Sequence, residues 1–569
     1  MRRGLVAGIA AAAALALPAA ASAHAVLLRT VPQASVVLSN APGELQMTFS
    51  EPVEPRFAIV SVTDASAHQQ TAGPPSRSPS NPDTLIVPLK HVAEGWYLVY
   101  WRAISVDGHP VRGAFTFAVG PNAGPAPQFV IPSISETAAT PRLLIARWIV
   151  FLSVMAAIGL AALRLAIARP VVRRVSGTRL RAVSRAFAAA AVVGLVAIPI
   201  YLLLATADFA LRSFWSWGAL IPLVRASAFG RGYFHLWIAF ALFVAAASAA
   251  ILVDRPERPR RSTAELLAGT GATAAAAATL LIPSLAGHAS QTSPRGLALP
   301  FDWLHLAAGS VWIGGLAGLL VLWRSLPAAA RVAGLLVAVP RFSNTAAASL
   351  AVLVASGTGA AVLHLPTVAS LWQTSYGQAI LWKIGLLSGA MLLAAVNLLR
   401  IKPRLAHVEV GASAARLLRA TVGGETILVA AAIFAAAVLS SLAPPSKALA
   451  SVGGASAHVG PGPVTRTVEK NGYTFRFRVT PNRAAVPNEF SVQIAKGGKP
   501  VTGADVVQTL EMLDMDMQNQ EYRLTETSPG TYTMSRPALV MVGHWGLSFD
   551  VTPPGGQTFT VLLVDRANG

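Results

Sequence analysis

The sequence predicts a multi-domain membrane protein: an N-terminal all-β domain, an eight-helix transmembrane bundle and a C-terminal all-β sandwich. Three observations predict it. The 569 residues are 54% hydrophobic and only 12% charged, whereas soluble chains carry roughly 25% charged residues. Between 143 and 443 lie eight apolar segments, at 143–163, 186–208, 236–253, 264–285, 303–323, 345–365, 378–399 and 424–443. Each is long enough, or nearly so, to cross a hydrocarbon core of ~30 Å as a helix. On either side of this block, short β-rich runs are punctuated by Pro, Gly, Asn and Ser.

Residues 1–23 read as a secretory signal, with Arg2 and Arg3, an Ala/Leu run and a small-x-small pattern at Ala21-Ser22-Ala23. An uncleaved anchor is the alternative reading. Cleavage would make His24 the first residue. Within 24–120, the runs 45–49, 58–62, 85–87, 96–101 and 114–119 suggest a sandwich or barrel. Residues 121–140, rich in Pro, Ala and Ser, are a linker to the membrane domain at 141–445. The third apolar segment is the shortest, and the amphipathic stretch 209–235 before it could lie in the interface. A second linker, 446–464, leads to the C-terminal domain at 465–569, where Tyr473 to Val479 alternates apolar and polar residues as a half-buried strand does.

The loops between apolar segments alternate in charge. Seven arginines, from Arg164 to Arg185, separate segments one and two, and Arg255, Arg258, Arg260 and Arg261 separate three and four. The 5–6 and 7–8 loops are also basic, the 4–5 loop has only Arg295, and the 6–7 loop has no Lys or Arg. The 2–3 loop, with Arg212, Arg225 and Arg231, is a partial exception. The positive-inside rule then places both termini outside the cytoplasm. The net charge of +20 is thus read as an orientation signal, and a nucleic-acid partner is not expected. Cysteine is absent, so any metal would be held by His, Met, carboxylate or backbone groups.

Three constellations could carry metal chemistry. The first gathers at one face of the bundle: His288 ends segment four, Asp302 and His305 open segment five, His364 ends segment six and His235 opens segment three. His407 alone lies in a loop on the other face. Ionisable groups at these depths usually serve function, because lipid disfavours them; helix-cap histidines are the plainer reading. Lys383 is expected to snorkel or to pair within the bundle, and Glu425 to meet loop arginines or serve as a structural polar group. The second constellation is His24 with Asp107 and His109. An α-amino group, two imidazoles and a carboxylate form a flat N,O set suited to Cu(II), although Asp107-Gly108 could simply be a turn. The third is a methionine cluster of Met512, Met515, Met517, Met534 and Met541 with His544. Thioethers suit Cu(I), with core packing as the alternative. Met515, Met517, Met541 and His544 are the expected participants.

The motifs also resemble known families. His24-Ala25-Val26-Leu27, Phe49-Ser50-Glu51-Pro52-Val53, Ser105 to Val111 and Gly113 to Phe117 resemble the copper-resistance CopC family. That resemblance implies a cupredoxin-like β-barrel binding Cu(II) through His24, Asp107 and His109. A second, Met-rich site of some members is not carried over, because Met47 stands alone here. Gly287-His288-Ala289, Asp302 to Gly315, Arg341-Phe342-Ser343, Tyr376-Gly377, Leu381-Trp382-Lys383 and Asn397 resemble CopD, a family of inner-membrane copper-handling proteins. Met512 to Asn519 is similar to the YtkA-like domain attached to some CopC–CopD fusions. The expectation is therefore copper binding outside the cytoplasm and copper transport, import in particular, with a periplasmic chaperone or reductase as partner. No Gly-x-x-x-x-Gly-Lys-Ser/Thr motif and no aspartyl-phosphate loop are present, so primary pumping is not expected; nor is the chain expected to be an enzyme. A membrane-anchored copper buffer or sensor and a membrane oxidoreductase are the other readings.

Overall fold

The computed structural model describes residues 27–568 except 34–35, 50–51, 105–109, 122–139, 211–213, 216–217, 219, 222–223, 225–227, 291, 293, 366, 408–409, 443–456, 485, 514–518 and 541. The signal segment, His24, Asp107, His109, Met515, Met517 and Met541 lie outside the described residues.

The N-terminal domain is a sandwich of two four-stranded sheets. One runs in the order Leu27–Val31, Glu44–Phe49, Thr84–Pro88, Ser76–Arg77, and the other Val37–Leu38, Pro110–Val119, Gly95–Ile104, Ile59–Asp64. Alternation along each strand sends Leu45, Met47 and Phe49 inward to meet Val62, Val87 and Phe117. Met47 is fully buried. Opposite Trp101 stands Gly113, where a Cβ would come within 2.9 Å of the indole. Only glycine lets that ring lie across the neighbouring strand.

Eight helices among the described residues are long and apolar enough to span a membrane, in agreement with the sequence reading. They are α1 (Pro141–Ala162), α2 (Arg181–Ala210), α3 (Ala228–Val253), α4 (Thr263–Ala286), α5 (Arg295–Ser325), α6 (Arg331–His364), α7 (Ser375–Val396) and α8 (Gly411–Leu439). Several start well before the apolar runs, because helical hydrogen bonding continues into the polar interfacial turns. The α1–α5 crossing depends on small residues. A Cβ on Gly159 would lie 2.1 Å from the Ser310 carbonyl, and one on Gly314 would lie 2.4 Å from the Gly159 Cα, so the two backbones touch directly.

At one end of the bundle, α1 continues through a π-helical turn, Leu163–Ile167, into Arg169–Arg174. There Arg164 meets Asp254 at 2.6 Å, and Arg169 meets Asp254 at 2.7 Å and Glu265 at 2.9 Å. All four are buried. Two of the arginines counted as a topology signal therefore also lock three helices together. Glu265 is doubly used, since it closes a capping box with Ser262 at the start of α4.

The N-terminal domain sits on the opposite end. Arg102 Nη2 donates to the Asp208 backbone oxygen at 2.9 Å, and the Asp208 carboxylate accepts from Thr140 Oγ1 at 2.6 Å and from the Arg142 guanidinium. Phe57 and Ile104 of the β domain join an apolar cluster with Leu143, Ile198 and Leu202 of α1 and α2.

The C-terminal domain follows α8 at that same end. One sheet has the order Val464–Lys470, Tyr473–Thr480, Asn488–Lys496, Thr531–Arg536, Thr525–Ser528, and the other Gln520–Arg523, Asp505–Met512, Gly543–Thr552, Phe559–Ala567, Ala457–His458. Phe475, Phe477 and Val479 point inward, as the alternation requires. The second linker is shorter than expected. Ala457–His458 already pairs in parallel with the last strand. Met512 and Met534 are core residues, 2% and 8% exposed. The two β domains share one continuous apolar cluster, and Ala114 N donates to Val540 O across the junction at 3.2 Å.

Candidate metal centre

The helix directions bring the ends of α4 and α6 and the starts of α3, α5 and α7 to the β-domain end, so His235, His288, Asp302, His305 and His364 gather at one end of the bundle. The loop that carries His288 is shaped by Gly287, where a Cβ would lie 2.9 Å from the Pro283 carbonyl. A short 3-10 turn, His288–Ser290, follows, and the His288 side chain lies outside the described residues.

Two polar contacts pin the first turns of α5 to α4. Ser284 Oγ donates to Asp302 Oδ2 at 2.7 Å, and Trp303 Nε1 to the Ala277 carbonyl at 3.0 Å. One turn on, half-buried His305 reaches across to two other helices. Its Nδ1 lies 3.3 Å from Ser356 Oγ on α6, and its Nε2 lies 3.0 Å from Lys383 Nζ on α7. Ser356 Oγ donates its own proton to Val352 O at 2.6 Å, so its oxygen accepts from His305 Nδ1–H. That assigns the Nε2 lone pair to the Lys383 ammonium. Gly357 makes room for this ring, because a Cβ there would lie 3.1 Å from Cε1.

His364 is held differently. Its Nδ1 donates to Ala360 O at 2.7 Å, its Nε2 faces Thr292 Oγ1 at 3.1 Å, and its ring stacks on Tyr376. Lys383 and His364 both act electrostatically on Asp302. His235 is exposed, seven residues into α3 and beside the Phe234 ring. Among the described residues, no three His, Asp or Glu side chains converge as a bound metal would require. Lys383 was singled out in the sequence as a group that snorkels or pairs within the bundle, and it pairs with His305; Ser356, which orients the ring, was not singled out. Ser356-Gly357 is a small polar interruption in an apolar helix, and that was the available signal.

In the C-terminal domain, His544 is 9% exposed and pairs with Arg566, while His458 pairs with Val564 on the other side of the same strand. Burial and the nearby His544 imidazole hold His458 below its ordinary pKa. Burial pushes the Asp565 carboxyl up to about 6. His458 was missed because it lies in a stretch that reads as linker. Leu513, beside the undescribed methionines, donates its N–H to the His544 carbonyl at 2.8 Å.

Fold and site together define a multi-pass membrane protein with a β domain on each side of the bundle in sequence, both at one end of it, and an imidazole–ammonium pair between helices. Comparison with known proteins identifies the parts. The CopC domain model matches residues 27–120, the copper resistance protein D model 336–439 and the YtkA-like model 467–550. The chain belongs to the copper-resistance CopC–CopD family, in the form that carries a YtkA-like domain. It is 26% identical over 549 residues to the copper transport protein CutJ of Bacillus subtilis (strain 168), with 93% of each chain covered. It is 34% identical over 106 residues to copper resistance protein C of Escherichia coli, covering 17% of this chain and 83% of that one. CopC from Methylosinus trichosporium OB3b matches at 26% identity and a TM-score of 0.17, over 18% of this chain and 99% of that one. His364, Lys383, Asn397 and Glu425 fall inside the copper resistance protein D match; His288, Asp302 and His305 precede it.

Proposed function

We propose that the chain binds copper outside the cytoplasm and imports it across the cytoplasmic membrane, with both termini extracytoplasmic. His24, Asp107 and His109 take Cu(II), and Met515, Met517, Met541 and His544 offer a softer Cu(I) site. His288, Asp302, His305, His364 and His235 receive the ion at the mouth of the bundle. A periplasmic chaperone or reductase supplies copper in the needed oxidation state.

One observation carries the reading: a neutral imidazole, His305, oriented by Ser356 and holding a cation, Lys383, through its free lone pair. Such a lone pair is the donor a copper ion requires. The hydrogen bonds that join Ala114 to Val540 and Arg102 to Asp208 support short transfers. Ala114 is five residues from His109, and Val540 adjoins Met541.

The test is copper uptake into proteoliposomes by wild type and a His288→Ala/His305→Ala double variant. Loss of uptake with retained folding is expected, and equal uptake would refute the mouth. Blocking signal cleavage should abolish tight Cu(II) binding, since the α-amino ligand would be lost; retained affinity would remove His24 from the site.

A further inference from the structure

The structure assigns a second ionisable station in the bundle interior: we propose that Glu425 is a proton-exchange site coupled to copper movement. The inference rests on the transport reading above. The sequence placed Glu425 near the start of its helix, in reach of loop arginines. In the structure α8 spans Gly411–Leu439, which leaves Glu425 fourteen residues from either end. At 1.5 Å per residue that is roughly 20 Å of helix on each side, too far for a carboxylate to snorkel to either surface.

Glu425 is 3% exposed, and its partners are neutral. Trp312 Nε1 on α5 donates to Oε1 at 3.0 Å, and Asn397 Nδ2 donates to Oε2 at 3.2 Å. Thr421 Oγ1 lies 2.5 Å from Asn397 Oδ1, which turns the amide so that its N–H2 faces the carboxyl group. The site thus presents one donor to each oxygen. A glutamine would satisfy one donor and set its own N–H2 against the other, so hydrogen bonding alone does not call for an amide here. Two acceptor oxygens in the membrane interior, with no ammonium or guanidinium bonded to them, fit a group that alternates between neutral acid and carboxylate.

The charged and titratable groups on the packed helices are Arg142 and Arg147 on α1, Arg295, Asp302, His305 and Arg324 on α5, Arg331, Arg341 and His364 on α6, Tyr376 and Lys383 on α7, and Arg416 and Arg419 on α8, with Arg164 in the turn after α1 and Arg400 in the turn after α7. Among the described residues, Glu425 is hydrogen-bonded by Trp312 and Asn397 and is in no ion pair with any of these groups. Two helices connect the carboxyl to the mouth. α5 carries both His305 and Trp312, and α7 carries Lys383 and leads into Asn397, which opens a π-helical segment, Asn397–Ile401. Such segments recur at functional sites because they loosen the regular backbone ladder. The exchange is –COOH to –COO⁻ plus H⁺, so one proton leaves as one Cu(I) ion arrives, and the bundle's net charge is conserved.

The experiment uses the full chain in proteoliposomes containing a pH-sensitive dye, with copper added outside. Wild type should move protons opposite to copper, and Glu425→Gln should lose that movement by about tenfold or more while binding copper at the mouth as wild type does. Glu425→Asp should restore part of it. Proton movement by Glu425→Gln equal to wild type would overturn the proposal. Failure of the transport reading would show separately, as no copper uptake by wild type. In that case infrared difference spectra of the detergent-solubilised protein decide: a protonated-carboxyl band that titrates in wild type and is missing in Glu425→Gln sustains the exchange site, and its absence from wild type at every pH refutes it.

Discussion

Replacing Lys383 with leucine tests whether the ammonium guards the His305 lone pair. In the present arrangement Nε2 lies 3.0 Å from Lys383 Nζ, so an incoming copper ion must displace that contact. A hydrogen bond to a charged group contributes about 1.5–3 kcal/mol. The lower end of that range is taken, because the His305 side chain is half-buried. At 1.4 kcal/mol per tenfold, Lys383→Leu should tighten copper binding at the mouth by about tenfold, and removing the like charge adds in the same direction. The assay is a competition titration against a Cu(I) chelator, on full-length protein whose β-domain sites are disabled by His109→Ala and Met517→Leu. Unchanged or weaker binding would show that Lys383 assists the ion and does not compete with it. In the His305→Ala background the gain should vanish, because both changes act on one contact.

Three further outcomes follow from the packing and the charges. Gly314→Ala should lower the unfolding midpoint by an amount equivalent to about 1–3 kcal/mol, since its Cβ would strike the Gly159 backbone, whereas Gly423→Ala, with nothing within 4 Å, should be neutral or stabilising. Asp565 has a folded-state pKa of about 6 against an ordinary 3.8, so the folded chain holds its proton more tightly than the unfolded chain. That contribution is full below about pH 4 and lost as pH rises through 6. Asp565→Asn should therefore flatten the decline in thermal stability across this window by about 2–3 kcal/mol, and an unaltered slope would place the linkage elsewhere. Arg102→Ala removes the bond to the Asp208 carbonyl. It should speed proteolysis of the junction and slow uptake at limiting copper by about two- to tenfold, with Cu(II) affinity of the N-terminal domain unchanged.

The architecture was legible in the sequence because each layer has its own periodicity. Apolar runs near twenty residues mark helices, and alternation such as Tyr473 to Val479 marks strands. Loop arginines marked the ends of the bundle, although burial of Arg164 and Arg169 against Asp254 and Glu265 shows that a charge pattern does not separate a topology signal from a structural ion pair. The site was legible by residue type and by face, and not by contact. Nothing in the spacing of His305, Ser356 and Lys383 says that α5, α6 and α7 converge, since helix rotation about the axis is set by packing between distant segments. Glu425 was misread for a related reason. Apolar periodicity begins near 424, but the helix begins at Gly411, and thirteen residues of offset move a carboxylate from an interface to the middle of a helix.

The arrangement also bears on how an ion could cross. Below His305 on α5 stands Trp312, 1% exposed, with its indole nitrogen committed to Glu425. Beside it, Gly159 and Gly314 bring the α1 and α5 backbones into contact. Among the described residues, the side chains beneath His305 on α5 are thus close-packed. If copper crosses by way of His305 as proposed, passage requires the contacts between α5, α7 and α8 to exchange, and these are the contacts made by Lys383, Trp312 and Asn397. The Lys383–His305 and Glu425–Trp312–Asn397 groups each bridge α5 to the α7 side, and they lie at different depths. A shift of α7 relative to α5 would break both together, which couples opening of the mouth to release of the carboxyl group. The arrangement thus favours a carrier that alternates between states over an open channel.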